Sequence, residues 1–374
     1  MTVPHPDGTR PVPSPVKVAV VGLGWAGRSI WLPRLHRHPA FQVVAGVDAD
    51  PAAREAAGAE VPGLRLVTDV AALHPADLDL AVVAVPNHLH TTVACRLLER
   101  SVPVFLEKPV CLNSAEAEQL AAAERAGGSV LLAGSAARHR TDMRELAAVV
   151  ATLGRVRHVD ISWVRASGVP DAGGWFTRRE LSGGGALVDL GWHLLDALGP
   201  LLGPVDYGQV TGTVSDDFVN SRSRRAAWRQ DGQEYDPETG TGDVEDTARG
   251  FLVTEDGVSV ALRASWASHQ ATDVTAITVE GSAGTATLRC TFGFSPNRLD
   301  GSVLTVHRDG EHTLVDLPHS AVGSEYDRQL DALTRLLGEP DRQGKAIDEV
   351  RHTIAVIERI YASARTTQVR EPRT

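Results

Sequence analysis

Cysteine is scarce: Cys95, Cys111 and Cys290 are the only three in 374 residues, widely spaced and without a CxxC. That excludes a disulfide framework and a cysteine-based metal site, and it fits a reducing cytoplasm. Long apolar runs are missing as well. The longest, 18–23 and 80–85, have strand length and fall far short of a bilayer span, so no membrane association is expected. The first fifteen residues hold five prolines and no apolar h-region, and so read as a disordered leader without a secretion signal. Positive charge is not in surplus either. The formal net charge is −10, which repels nucleic acid and otherwise serves solubility.

What is present is an ordinary globular share of hydrophobic residues, 43%, on a chain too long for one core. Two domains are expected after the 1–15 leader: a dinucleotide-binding domain over 16–138 and a substrate and oligomerisation domain over 139–374. In the first, near-continuous apolar stretches alternate with helical ones. VKVAVVGLG, FQVVAGVDAD, LRLVTD, DLDLAVVAVPN, VPVFLEKP and SVLLAGSAARH read as six strands. Buried strands separated by helices imply a doubly wound parallel sheet, the Rossmann arrangement of an α/β protein. In the second half, runs such as TARGFLVTED, SVALRASWAS and TAITVEGSAG, separated by turn signals, suit a mostly antiparallel sheet.

GLGWAG (Gly22, Leu23, Gly24, Trp25, Ala26, Gly27) stands between the first strand and the first helix. Its first glycine makes a tight turn, its second lets backbone approach a pyrophosphate, and its third lets helix and strand pack closely. Asp48 closes the next strand, 21 residues past Gly27, where a carboxylate accepts from the adenosine ribose hydroxyls. An acid there repels a 2′-phosphate, so NAD is expected over NADP.

Two further motifs end strands on the same edge. PNHLH runs from Pro86 through Asn87 to His90, and EKP is Glu107, Lys108 and Pro109. Carboxyl ends of parallel strands are where open α/β sheets bind ligands. The proline breaks the strand and turns Lys108 toward the crevice, where an ammonium donates to a substrate oxygen.

GLGWAG, PNHLH, LEKP and the later GGGALVDLGWH, in that order, resemble the glucose–fructose oxidoreductase / inositol dehydrogenase / MocA (Gfo/Idh/MocA) family over about residues 16–365. The resemblance implies a Rossmann domain followed by an α/β domain whose large, mostly antiparallel open sheet often carries an oligomer interface, so a homo-oligomer (dimer or tetramer) is expected. It implies oxidation of a sugar or cyclitol hydroxyl, or the reverse reduction. The family's catalytic lysine falls on Lys108, and its later acid and imidazole on Asp189 and His193. Pro86, Asn87, His90, Glu107 and Pro109 match cofactor-side positions.

These residue types suit the chemistry. Hydride leaves a carbon only if its hydroxyl gives up a proton, so a base is required. An imidazole titrates near neutrality, which makes His193 that base. Asp189 lies four residues earlier, on the same face of a helix, and is placed to orient the imidazole or bind a sugar hydroxyl. Lys108, from the other domain, would hold the oxygen as charge develops. The glycines 183–185 permit a tight loop against cofactor or substrate. His88 and His90 lie two apart, but no third ligand pattern accompanies them, so no metal is expected.

Arg138, Trp175, Phe176 and Arg178 are expected to line the substrate pocket with His193, aromatic faces stacking on sugar rings. Residues 221–246 form a polar insertion in which Arg222, Arg224, Arg225 and Arg229 flank Trp228. It reads as a solvated or interface loop, with a grip on a nucleotide-sugar diphosphate as the alternative. Glu245 and Asp246, where the pattern restarts, are further candidates for substrate contact. Two other functions fit less of the sequence: a cofactor-retaining epimerase, lyase or glycosidase working through a transient ketone, and a non-enzymatic dinucleotide-binding regulator.

Overall fold

A computed structural model describes residues 15–170, 174–226 and 241–368. The leader up to residue 14, Trp228 and Arg229 of the insertion, and the last six residues lie outside them. The chain divides into two compact units. One takes in the residues up to Gly134 together with Tyr326–Arg351; the other takes in Ser135–Glu325 and the residues from His352 on.

In the first unit six strands form one parallel sheet: β1 (Val16–Val21), β2 (Phe41–Val47), β3 (Arg65–Val67), β4 (Leu80–Val83), β5 (Val104–Leu106) and β6 (Leu131–Ala133). Their order, β3-β2-β1-β4-β5-β6, is the doubly wound one, with the chain reversing direction of travel between β1 and β4. Those two strands and β5 are almost wholly buried, as expected of a sheet covered on both faces. The late segment joins this unit through specific contacts. The Tyr326 ring packs edge-on against Trp31 at 5.6 Å, and Gln343 Nε2 donates to the carbonyls of Glu124 and Ser129. Glu124, 1% exposed, accepts from Leu131 N and Gly344 N.

The second unit holds an eight-stranded sheet of β7 (Val156–Val164), β8 (Tyr207–Ser215), β9 (Thr247–Thr254), β10 (Ser259–Ser265), β11 (Val274–Gly281), β12 (Gly284–Cys290), β13 (Val303–Arg308) and β14 (Glu311–Val315). Its order is β14-β13-β12-β11-β7-β10-β9-β8. All neighbours are antiparallel except β7 and β10, which run parallel. One face carries the apolar core, with Val159, Ile161, Val260, Ile277, Val279 and Leu288 buried. The register aligns one row on the other face: Phe251, Ala261, Asp160, Thr278, Thr287, Thr305 and Leu314. Phe251 is 46% and Leu314 68% exposed, and Val303 on the same face is 48% exposed.

Local sequence rules hold with one difference. Asn113 caps the helix Ser114–Gly127 by accepting from Glu116 N, and Gly128 ends it in the left-handed conformation. The helix Thr141–Val150 has no side-chain cap. Asp142 instead accepts from Arg140 and from Ser302 Oγ at 2.6 Å, a tertiary pairing that outcompetes capping. Among the described residues no helix is long and apolar enough to cross a membrane.

Candidate active site

The glycine motif forms a cradle in which each glycine has a different reason to be there. Gly22 has φ +90° and donates to Val47 O; a Cβ on it would lie 2.6 Å from the backbone of Ala84. A Cβ on Gly27 would lie 1.8 Å from Gly22 O. Gly24 is the opposite case: a Cβ there would meet nothing within 4 Å. Backbone is thus exposed beside the helix that begins at Ala26, directly after Trp25, where helix N–H groups favour an anion. The first turns of that helix, Ala26–Trp31, are π-helical.

Asp48 stands at the rim of this loop. Its Oδ2 accepts from Leu23 N at 2.7 Å and its Oδ1 from Asp50 N at 2.9 Å. The open Gly24 and the fixed Asp48 carboxylate together fit a dinucleotide, with pyrophosphate over the glycine and ribose hydroxyls at the acid.

The PNHLH and EKP turns are tied together by one side chain. His90, 1% exposed, places Nδ1 2.7 Å from Pro109 O and Nε2 2.8 Å from Val85 O. Burial lowers its pKa to about 4, with the nearby Lys108 charge acting in the same direction. A neutral imidazole donates to one of the two carbonyls at a time. Of the other expected cofactor-side residues, Asn87 and Pro109 are buried and Pro86 is half-buried. Glu107 accepts from Trp31 Nε1 at 2.8 Å and from Lys108 N at 2.9 Å; burial raises its pKa against the opposing pull of the Lys108 charge. Lys108, half-exposed, precedes Pro109 through a cis peptide.

In the second unit Asp189 and His193 lie on consecutive turns of one helical run, Leu187–Gly191 followed by Trp192–Leu202. Its opening is π-helical, a distortion frequent at functional sites. Asp189 is 8% exposed; its Oδ2 accepts from Trp266 Nε1 at 2.8 Å and lies 3.9 Å from Arg165 Nη1. His193, half-buried, packs its ring 5.7 Å from that of Trp163. Phe176 lies 6.2 Å from Trp266 and 4.6 Å from Trp175. The structure therefore gathers Asp189, Trp175 and Phe176 around Trp266, and His193 beside Trp163.

Other expected pocket residues have different neighbours. Arg138 donates from Nε to Asp196 O and pairs with the Asp196 carboxylate at 2.7 Å, bracing the helix that carries His193. Arg178 is exposed, and its carbonyl accepts from Ser182 Oγ. Arg224 spends its guanidinium on the carbonyls of Ser268 and Ala166, tying loops together. Asp246 accepts from Val219 N and Thr247 Oγ1, an internal brace.

The glycines 183–185 pack against protein. A Cβ on Gly184 would lie 2.0 Å from the Tyr361 hydroxyl, and one on Gly185 would lie 1.7 Å from Glu245 O. Glu245, 3% exposed, accepts from Gly185 N and Leu187 N at 3.0 Å, capping the site helix from a distant strand end. Sequence reasoning missed Arg165, Trp266 and Tyr361. Each follows a strand or sits within a long helix, with no local motif to mark it.

Residues 16–135 match the family described as "Oxidoreductase family, NAD-binding Rossmann fold", and residues 143–287 match the GFO/IDH/MocA C-terminal domain. The chain belongs to the Gfo/Idh/MocA oxidoreductases, and its first unit is an NAD-binding Rossmann domain. It is 59% identical over 349 residues to a protein of Amycolatopsis mediterranei (strain S699), provisionally named as the UDP-kanosamine synthase oxidoreductase subunit; the match covers 93% of this chain and 96% of that one. It is 29% identical over 262 residues to D-glucoside 3-dehydrogenase of Escherichia coli (strain K12), covering 68% and 71%. Its fold superposes on aldose-aldose oxidoreductase from Caulobacter crescentus, crystallised with glycerol, with a TM-score of 0.76 at 23% identity over 94% and 98% of the two chains.

Proposed function

We propose that this enzyme moves hydride between NAD and a secondary hydroxyl of a hexose derivative, free or carried as a nucleotide sugar, with carbon 3 as the reacting position. The observation that carries the reading is the acid–base helix with a part-exposed aromatic pair near it: Asp189 and His193 share one helical run, and Trp175 and Phe176, both part-exposed, pack in series on the buried Trp266 that holds Asp189. Aromatic faces bind the C–H faces of a pyranose, and a carboxylate with an imidazole handles its hydroxyl protons. D-glucoside 3-dehydrogenase carries both a hexose derivative and the 3-position in its name, and the Amycolatopsis mediterranei relative carries UDP-kanosamine in its name.

When bound, the nicotinamide accepts or returns the hydride. Gly24, the helix start at Ala26 and Asp48 would hold the dinucleotide. His193 takes the hydroxyl proton during oxidation and returns it during reduction. Asp189 stabilises the imidazolium that results. Lys108 stabilises negative charge on the substrate oxygen.

The test is a panel of UDP-glucose, glucose, methyl glucosides and myo-inositol with purified protein and NAD. Reduced nicotinamide should appear with a hexose derivative, and a 3-keto product should be found by mass and NMR. Product without net nicotinamide turnover would favour the cofactor-retaining reading instead. Binding of NAD with no conversion of any panel member would overturn the proposal.

The same reading extends to setting and assembly. Three cysteines spread over 374 residues without a CxxC suit the reducing cytoplasm. The open sheet face bearing Phe251, Val303 and Leu314 is assigned as the contact between copies of this chain. Sedimentation should show a dimer or tetramer that Phe251→Asp shifts toward monomer. A monomeric wild type would refute the assignment.

A further inference from the structure

Arg165 directly follows β7, and Trp266 directly follows β10. These two strands pair in parallel, Val164 opposite Ser265, and Arg165 N donates to Ser265 O at 2.9 Å. The two side chains therefore leave adjacent carboxyl ends of the sheet at one level. Both reach the same atom of the site helix. Trp266 Nε1 lies 2.8 Å and Arg165 Nη1 3.9 Å from Asp189 Oδ2.

All three residues are nearly inaccessible: Trp266 is 0%, Arg165 8% and Asp189 8% exposed. The guanidinium also lies over the Trp163 ring, 5.0 Å from its centroid, and that ring packs on His193. One cation thus stands 3.9 Å from the carboxylate and is linked to the imidazole through an indole. A second buried carboxylate lies within reach of the Arg165 charge. Asp273 is 0% exposed, accepts from Ala166 N at 2.7 Å, and has its pKa raised by burial against the opposing pull of Arg165 and Arg298.

We propose that Arg165 and Trp266 are positioning residues that hold Asp189 in one orientation and in its charged form for the acid–base step. The physical case is one of necessity. A buried ion pair seldom adds net stability, and well-packed apolar residues of similar volume often replace it without loss. An indole donor and a guanidinium converging on one oxygen restrict the carboxylate plane, which is what proton transfer demands and packing does not. The inference rests on the assignment of Asp189 to the active site made above.

The experiment uses the full chain, with NAD and the best hexose substrate, and compares three variants in the wild-type and Asp189→Asn backgrounds. Trp266→Phe keeps an aromatic ring and removes the donor. Arg165→Gln removes the charge, and Arg165→Lys restores it. Trp266→Phe and Arg165→Gln should each lower kcat at least tenfold while KM for NAD stays unchanged, and Arg165→Lys should recover most of the loss. In an Asp189→Asn background neither substitution should lower kcat further, because both act through that carboxylate. Full losses that add to Asp189→Asn, or a kcat that tracks melting temperature alone, would overturn the proposal. If Asp189→Asn loses activity while both variants keep theirs, this inference fails and the assigned function stands. If Asp189→Asn is itself fully active, the active-site assignment falls, and this inference with it.

Discussion

The Tyr361 hydroxyl donates to Oε1 of Glu245 at 2.8 Å, joining the last long helix to the strand end that caps the site helix. The same Glu245 oxygen accepts from Gly185 N and Leu187 N, and Arg179 lies 3.3 Å from its Oε2. Burial raises the Glu245 pKa against the opposing pull of Leu187 N, the Tyr361 hydroxyl and the Arg179 charge. Removing one donor leaves a buried carboxylate short of a bond. Tyr361→Phe is therefore expected to lower unfolding free energy by about 1.5–3 kcal/mol, measured by urea titration. A value near zero would mean that the contact contributes nothing to holding the helix.

The three glycines of the cradle should separate by phenotype. Gly24 faces open space, so Gly24→Val should fold normally, within about 0.5 kcal/mol of wild type, and lose the melting-temperature shift that NAD produces. Gly27→Ala places a methyl 1.8 Å from Gly22 O and should cost at least about 2 kcal/mol in stability. Equal NAD-induced shifts in wild type and Gly24→Val would show that the dinucleotide does not pass over this residue.

Asp48 should set cofactor choice by charge. Asp48→Ser removes the repulsion of a 2′-phosphate, and the ratio of kcat/KM for NAD over NADP should fall by about tenfold or more, roughly 1.4 kcal/mol. An unchanged ratio would assign discrimination to another group. Arg54, whose Nη1 donates to the carbonyls of Asp48 and Ala49, would be the next to test.

His90 should give the fold a pH dependence. Its folded pKa of about 4 lies below the unfolded value of 6.5, so the unfolded chain takes up the proton first as pH falls. The stability tied to the neutral ring is complete above the unfolded pKa, is lost on descent from about 6.5 toward 4, and changes no further below. Between pH 7.5 and 5.5 the loss from this one group is on the order of 1 kcal/mol. Urea titrations at the two pH values should show that difference in wild type and not in His90→Gln. The same slope in both would place the dependence elsewhere.

The cofactor cradle was legible because its logic is local. A strand, a run of glycines and an acid at the next strand end lie within 33 residues, and steric rules assign each a task. That Asp189 and His193 share one helical run was legible from their spacing. Their surroundings were not. Arg165 and Trp266 stand 101 residues apart and meet only because β7 and β10 pair in parallel, a choice that neither strand announces. The 183–185 glycines read as a ligand loop, and the structure gives them Glu245 and Tyr361 as neighbours.

Sequence alone determined the alternation of strand and helix and the nucleotide cradle, since turn sterics and hydrophobic periodicity act between near neighbours. Tertiary structure decided which strands adjoin, which buried carboxylate braces a helix and which one meets Arg165 and Trp266. Those outcomes follow from packing between segments tens of residues to more than a hundred residues apart. There, the cost of leaving a buried charge unpaired selects one partner among many, and no short stretch of chain encodes that selection.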